Sequence, residues 1–191
     1  MPPPGALQIG PRVYIRRLAA SDEEAFLAFA RASRPLHHPW VHPPTTSAAF
    51  AKYLARAGRE DACAMLILRR DTDAICGGAT LSQIFYGSFE NAYLGYSGSR
   101  ATAGKGYMTE GLHCVLRHAF VGLKLHRVEA NIQPGNTGSR ALAKRCGFRL
   151  EGFSPRYLKV AGQWRDHERW AITREDWRAL PDKPRIVAGP K

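Results

Sequence analysis

The feature that most constrains the fold is a glycine-flanked loop feeding an amphipathic helix. After Gly104-Lys105-Gly106, apolar residues fall at Met108, Leu112, Val115, Leu116, Ala119, Phe120 and Leu123, offsets of 4, 7, 8, 11, 12 and 15 from the first. That spacing gives a helix with one broad apolar face, which needs a second apolar surface to cover it. Extended runs on both sides supply one: residues 92–97 before the loop and 127–132 after the helix read as strands. Residues 13–18 read as a first strand, and 64–68 and 74–81 as a hairpin around Asp71-Thr72-Asp73. A last hairpin is expected from 156–160 and 164–172 around Ala161-Gly162-Gln163.

Three further helices complete the pattern. Ser21-Asp22-Glu23-Glu24 has the form of a capping box, with Phe26, Leu27, Phe29 and Ala30 as the apolar face behind it. Thr46 or Ser47 caps a second helix through Phe50, Tyr53 and Leu54, and Asn136 caps a short one closed by Gly147. Between them, the prolines of residues 36–44 exclude a helix. The fold class is therefore α/β (α+β). One domain over 11–178 is expected, with 1–10 and 179–191 as flexible termini.

Composition excludes several classes of function. The 191 residues are 45% hydrophobic and 23% charged, as in an ordinary globular chain, and no run approaches the ~20 apolar residues of a membrane span. Four scattered cysteines (Cys63, Cys76, Cys114, Cys146) have no zinc spacing and do not form a disulfide framework. With no secretory pattern at the N-terminus, a reduced, cytoplasmic protein is the expectation. His37, His38 and His42 cluster without acidic or cysteine partners in a proline-rich loop, so no metal is expected. Net charge is +12, and residues 139–170 hold eight basic side chains against three acidic. Such a surface attracts polyanions, but no zinc spacing, basic zipper or aromatic RNA-binding strand accompanies it.

A strand, a short glycine loop and a helix together can bring unpaired amides to a phosphate. Residues 100–107 have that form, without the spacing of a Walker A loop or of the dinucleotide fingerprint. On its own the loop could equally be a structural turn. With Leu94-Gly95-Tyr96, Asn131 through Ser139 and Cys146-Gly147-Phe148 in the same order, the chain resembles the GNAT family of acetyl-CoA-dependent N-acetyltransferases. Within that family it resembles the ribosomal-protein alanine acetyltransferases of the RimJ/RimL type, most of all through residues 158–167 and Pro39-Trp40.

The resemblance implies a mixed, twisted sheet with flanking helices, whose fourth and fifth strands splay apart. Acetyl-CoA would lie in the splay, its pantetheine arm along Leu94, Gly95, Tyr96 and Ser97. Its pyrophosphate would sit on Ala103, Gly104, Lys105, Gly106, Tyr107 and Met108. Asn131 and Asn136 would orient the amides of the cosubstrate, with plain helix capping as the alternative for Asn136. Ala101 stands where the family usually has Gln or Arg, which costs a side-chain contact and leaves the backbone cradle intact.

Acetyl transfer to an amine needs a neutral nitrogen, a stabilised oxyanion and a way for the thiolate to leave. The resemblance assigns Ser139 to the leaving sulfur, because the tyrosine many members use is replaced here by Ala143; a serine in a first helical turn can also serve only the backbone. RimJ/RimL enzymes place an acid before a Tyr-Leu pair, and here Arg156 precedes Tyr157-Leu158, which leaves Glu90 as the candidate base or a solvated turn residue. An α-amino group, with a reference pKa of about 7.7–8.0, needs less help than a lysine near 10.4. Trp40 and Tyr157 are candidates for the acceptor wall. The leading reading is an acetyl-CoA-dependent N-acetyltransferase acting on a protein N-terminus of the ribosomal-protein type, as a monomer or homodimer away from membranes. The alternatives are the same chemistry on a small amine, and an acetyl-CoA- or RNA-binding module without turnover.

Overall fold

The computed structural model describes residues 3–190. Nine strands form one sheet: β1 (Ala6–Ile9), β2 (Val13–Arg17), β3 (Ala62–Arg69), β4 (Ile75–Phe85), β5 (Asn91–Gly98), β6 (Arg127–Ile132), β7 (Arg149–Val160), β8 (Gln163–Thr173) and β9 (Val187–Ala188). Their order is β7-β8-β6-β5-β4-β3-β2-β1-β9. Every neighbouring pair is antiparallel except β5–β6, which is parallel and pairs only over Asn91–Tyr93 with Arg127–Glu129. A parallel pair needs a long crossover. Here it is α4 (Tyr107–Arg117), continued by a wider π turn over His118–Gly122. Beyond Tyr93 the two strands separate, which is the splay the resemblance implies.

The sheet is covered on both faces. Cys63, Met65 and Ile67 of β3 join the core under α4 and α5 (Thr137–Arg145), while the alternate Ala64, Leu66 and Leu68 join the core under α1 (Glu23–Ala32) and α3 (Ser47–Ala57). Burial on both faces explains why this strand reads as a continuous apolar run rather than an alternation. The helix caps at Thr46 and Asn136 form as expected: Thr46 Oγ1 accepts from Ala49 N–H at 3.3 Å, and Asn136 Oδ1 accepts from Ser139 N–H at 3.1 Å.

Several expectations are corrected. Ala6–Ile9 and Val187–Ala188, outside the expected 11–178, add strands to one edge, so the expected fourth and fifth strands are β5 and β6. The segment 174–179 forms a helix, α6, capped by Thr173. The last hairpin is longer than expected, because β7 continues from Arg149 through two register irregularities. Ser21 does not cap α1. The Asp22 carboxylate instead accepts from Ala19 N–H at 2.8 Å and pairs with Arg16 at 2.6 Å, and α1 begins one residue later. A one-turn helix, α2 (Arg34–His37), occupies the start of the proline-rich stretch, with Pro35 in its first turn, where its missing N–H costs nothing.

One buried carboxylate fastens α4 to the sheet. Glu110 Oε1 accepts from the backbone N–H groups of Arg12 (2.6 Å) and Val13 (3.0 Å), and its Oε2 accepts from Arg12 Nε (2.9 Å). Gly10 is required beside it, since a Cβ there would stand 2.7 Å from Glu110 Oε1. Arg12 Nη1 in turn donates to the Lys105 carbonyl at 3.1 Å and so ties the glycine loop to β2. No described helix is long and apolar enough to cross a membrane.

Candidate active site

The splay opens into a cleft of about 480 Å³. Its walls are the free edge of β5 from Leu94 to Gly98, the end of β6, the start of α5 and the glycine loop, with α2 and the Trp40 segment closing one side. The loop bends through Gly104 (φ +74°) and Gly106 (φ +80°), left-handed backbone that favours glycine. A Cβ on Gly104, Gly95 or Gly138 would meet nothing within 4 Å, so each glycine leaves backbone open to the cleft. At the start of α4 the first-turn amides have no intrahelical acceptor and carry partial positive charge.

Tyr96 and Ser139 meet across the cleft. The Ser139 hydroxyl donates to the Tyr96 hydroxyl oxygen at 2.7 Å, and the Tyr96 hydroxyl donates to the Ser139 carbonyl at 3.1 Å. Burial pushes the Tyr96 pKa up to about 12, so it keeps its proton at neutral pH. Asn131 lines the cleft, and its side-chain oxygen is fully buried with no partner among the described residues. Such an acceptor is costly to leave unmade unless a ligand donor meets it.

Most of the expected site comes together here. Leu94, Gly95, Tyr96, Ser97, Ala103, Gly104, Gly106, Met108, Asn131, Asn136, Ser139 and Trp40 all line the cleft. Asn136 spends its side-chain oxygen on the cap of α5, the capping alternative. Lys105 lies outside, its Nζ donating to the Ala101 carbonyl at 3.1 Å, and Tyr107 is turned under the guanidinium of Arg12, 4.7 Å from its ring centroid. Trp40 reaches the loop after β6. Its carbonyl accepts from Gln133 Nε2 at 3.2 Å, and a Cβ on Gly135 would stand 2.9 Å from its ring.

Besides Lys105 and Tyr107, two more expected residues are not brought in. Glu90 stands at the start of β5, at the opposite end from the splay, where its carbonyl accepts from His126 and Arg127 N–H and pins the start of β6. Four residue steps of strand at ~3.3 Å each separate it from Leu94, and it does not line the cleft, which corrects its assignment as the base. Tyr157 does not line the cleft either. Its ring stands 6.3 Å from that of His167, which does line it. Two histidines line the cleft: His37, from the loop that carries Trp40, and His167 of β8, to which sequence alone assigns no role. His37 Nε2 donates to the Gly98 carbonyl at 2.8 Å and holds α2 to the end of β5. Among the described residues no cluster of His, Cys, Asp or Glu could hold a metal ion.

Comparison with known proteins gives the family. A family model described as an acetyltransferase (GNAT) domain matches residues 12–149. The chain belongs to the GNAT family. The Bacillus subtilis protein named probable N-acetyltransferase YjcK is 30% identical over 175 residues, covering 87% of this chain and 97% of its own. The Escherichia coli [ribosomal protein uS5]-alanine N-acetyltransferase is 42% identical over 107 residues, 56% of this chain and 55% of that protein. Mycobacterium smegmatis RimJ, solved with CoA-disulfide, superposes with a TM-score of 0.79 at 30% identity, covering 96% of this chain and 93% of that one. This GNAT member is accordingly an N-acetyltransferase with acetyl-CoA as cosubstrate. The residues present fit that molecule: an open amide cradle for phosphate and a free strand edge for an amide-bearing arm.

Proposed function

We propose that the acceptor is the α-amino group of a protein N-terminus, of the ribosomal-protein type. The observation that carries this is the absence of any Asp or Glu from the described cleft lining, whose ionisable side chains are His37, Tyr96, Arg145 and His167. Without a carboxylate, the site is suited to an amine already partly neutral at pH 7, as an α-amino group with a pKa of about 7.7–8.0 is. Arg145 also disfavours a second positive charge nearby. The likeness to the uS5-alanine enzyme and to RimJ supports the same class of acceptor.

In this reading the amides of Gly104 to Met108 hold the pyrophosphate, and the edge from Leu94 to Ser97 pairs with the pantetheine arm. Asn131 accepts from one of the amides of that arm. Ser139, whose hydroxyl donates to Tyr96 in this structure, turns that O–H to the departing sulfur as it leaves. Trp40 bounds the acceptor side. The test is acetyl transfer to a peptide with a free small N-terminal residue, compared with the same peptide blocked at its N-terminus and carrying lysine, and with a polyamine. The free α-amine is expected to react at least tenfold faster. Equal rates, or turnover confined to the polyamine, would move the acceptor to small or side-chain amines.

A further inference from the structure

The cleft as described has a group for the sulfur and none for the proton that the attacking nitrogen must lose. One side chain in its wall is unused. His167 of β8 is 3% exposed and lines the cleft. Its Nδ1 lies 2.9 Å from the Arg165 carbonyl. A carbonyl only accepts, so the proton sits on Nδ1, and Nε2 is the lone-pair nitrogen of a neutral ring. Nε2 has no hydrogen-bond partner among the described residues, and it is not sealed from solvent. His37, the other histidine in the cleft, has the reverse arrangement: it donates through Nε2, and its lone-pair Nδ1 is buried without a partner. Only His167 can offer a base to the cleft.

We propose that Nε2 of His167 accepts the proton from the acceptor amine during acetyl transfer. This rests on reading the cleft as the transfer site, and it applies to whichever primary amine proves to be the acceptor. In the balanced step, the amine nitrogen forms a bond to the acetyl carbon and the carbon–sulfur bond breaks with its electron pair on sulfur. His167 Nε2 takes the proton lost by nitrogen and later gives it to solvent. Ser139 passes one proton to sulfur and is reprotonated from solvent, so amine and thioester become amide and thiol. A nitrogen bonding to a carbonyl carbon becomes far more acidic than a free ammonium, so a weak base suffices. Burial lowers the pKa of His167, which keeps the ring neutral and ready to accept at pH 7.

The charged and titratable groups around it are few. Tyr157 faces it from β7 at 6.3 Å between rings, Asp166 and Glu168 flank it on β8, and Arg145 of α5 and His37 of α2 share the cleft. Glu168 is already bound, its Oε2 accepting from Arg140 Nε at 2.9 Å and Trp170 Nε1 at 3.0 Å. Tyr157 is a positioning residue in this account, packing beside the ring without reaching the cleft.

The test compares wild type with His167→Asn and His167→Ala, measuring kcat and KM from pH 5.5 to 9.5 and CoA affinity by calorimetry. Asn can still donate to the Arg165 carbonyl but cannot take a proton, which separates the two roles. His167→Asn should lose about 100-fold or more in kcat with CoA affinity within about twofold, in line with general-base losses. At acid pH, log kcat/KM should fall more steeply in wild type than in the variant, because wild type loses both the neutral amine and the neutral histidine. Added imidazole should partly restore His167→Ala. Wild-type kcat and an unchanged acid slope in His167→Asn would overturn the proposal. If the wild type acetylates only a small amine, the acceptor reading fails, and the same variants measured on that amine still decide the role of His167.

Discussion

At the scale of single residues, the hydroxyl pair of Tyr96 and Ser139 is the most consequential contact in the cleft. Ser139→Ala should lower kcat by about 10- to 1000-fold with little change in CoA affinity, because the lost interaction belongs to the departing sulfur. Tyr96→Phe leaves the serine in place without its acceptor, and a smaller loss of about tenfold is expected. Steady-state kinetics with CoA calorimetry on both variants checks this, and unchanged turnover in Ser139→Ala would return that serine to a purely structural role. Ser139 and the glycine loop were legible in the sequence, because each lies within one short motif. The partnership of Tyr96 with Ser139 was not, since the two are 43 residues apart and meet only because β5 and the start of α5 face one cleft. Glu90 misled for a related reason: closeness to β5 in sequence says nothing about which end of the strand carries the site. His167 needed the register of β8 against β7 and β6 before its ring could be placed.

At the scale of elements, the glycine loop depends on the buried carboxylate of Glu110, the fourth residue of α4. Glu110→Gln puts an amide where two backbone donors and a guanidinium expect a carboxylate, and should cost about 2–4 kcal/mol of stability. Because Arg12 also holds the Lys105 carbonyl, the variant should bind CoA more weakly as well. Denaturant melts and CoA titration measure the two effects, and a stable variant with unaltered CoA binding would show the latch to be dispensable. The π turn after α4 predicts a pH effect. His118 is buried there and its pKa is depressed to about 4, first by burial and then by the charge of Arg17. Below the ordinary pKa near 6.5 the unfolded chain takes up a proton that the native chain refuses, so stability is full above that value and falls with falling pH. Between pH 6.5 and 5 this one residue accounts for about 2 kcal/mol. His118→Leu should flatten the fall in melting temperature by a corresponding amount, whereas an identical pH slope would place the proton elsewhere. The long periodic elements were readable from pattern alone, β6 to the residue. β1, β9 and α6 were not, because four, two and six residues carry too little periodicity and form only where an existing edge or core receives them.

At the scale of the whole molecule, the distribution of charge bears on the acceptor. Of 16 acidic residues, many are already engaged by arginines, among them Glu110 with Arg12, Asp22 with Arg16, Glu129 and Glu151 with Arg127, and Glu168 with Arg140. The surplus of +12 is therefore expressed outward, toward a polyanionic or acidic setting and away from polycationic amines. That charge supports the proposed protein acceptor over a polycationic amine, which it would repel. The most direct measurement is to give the enzyme one peptide carrying both a free N-terminal alanine and an internal lysine, with acetyl-CoA, and locate the acetyl group by fragment mass spectrometry. The account predicts a single acetyl group on the N-terminal nitrogen, with a rate that rises through about pH 7–8 as that amine loses its proton. An acetyl group on the lysine side chain, with the N-terminal amine left free, would contradict it.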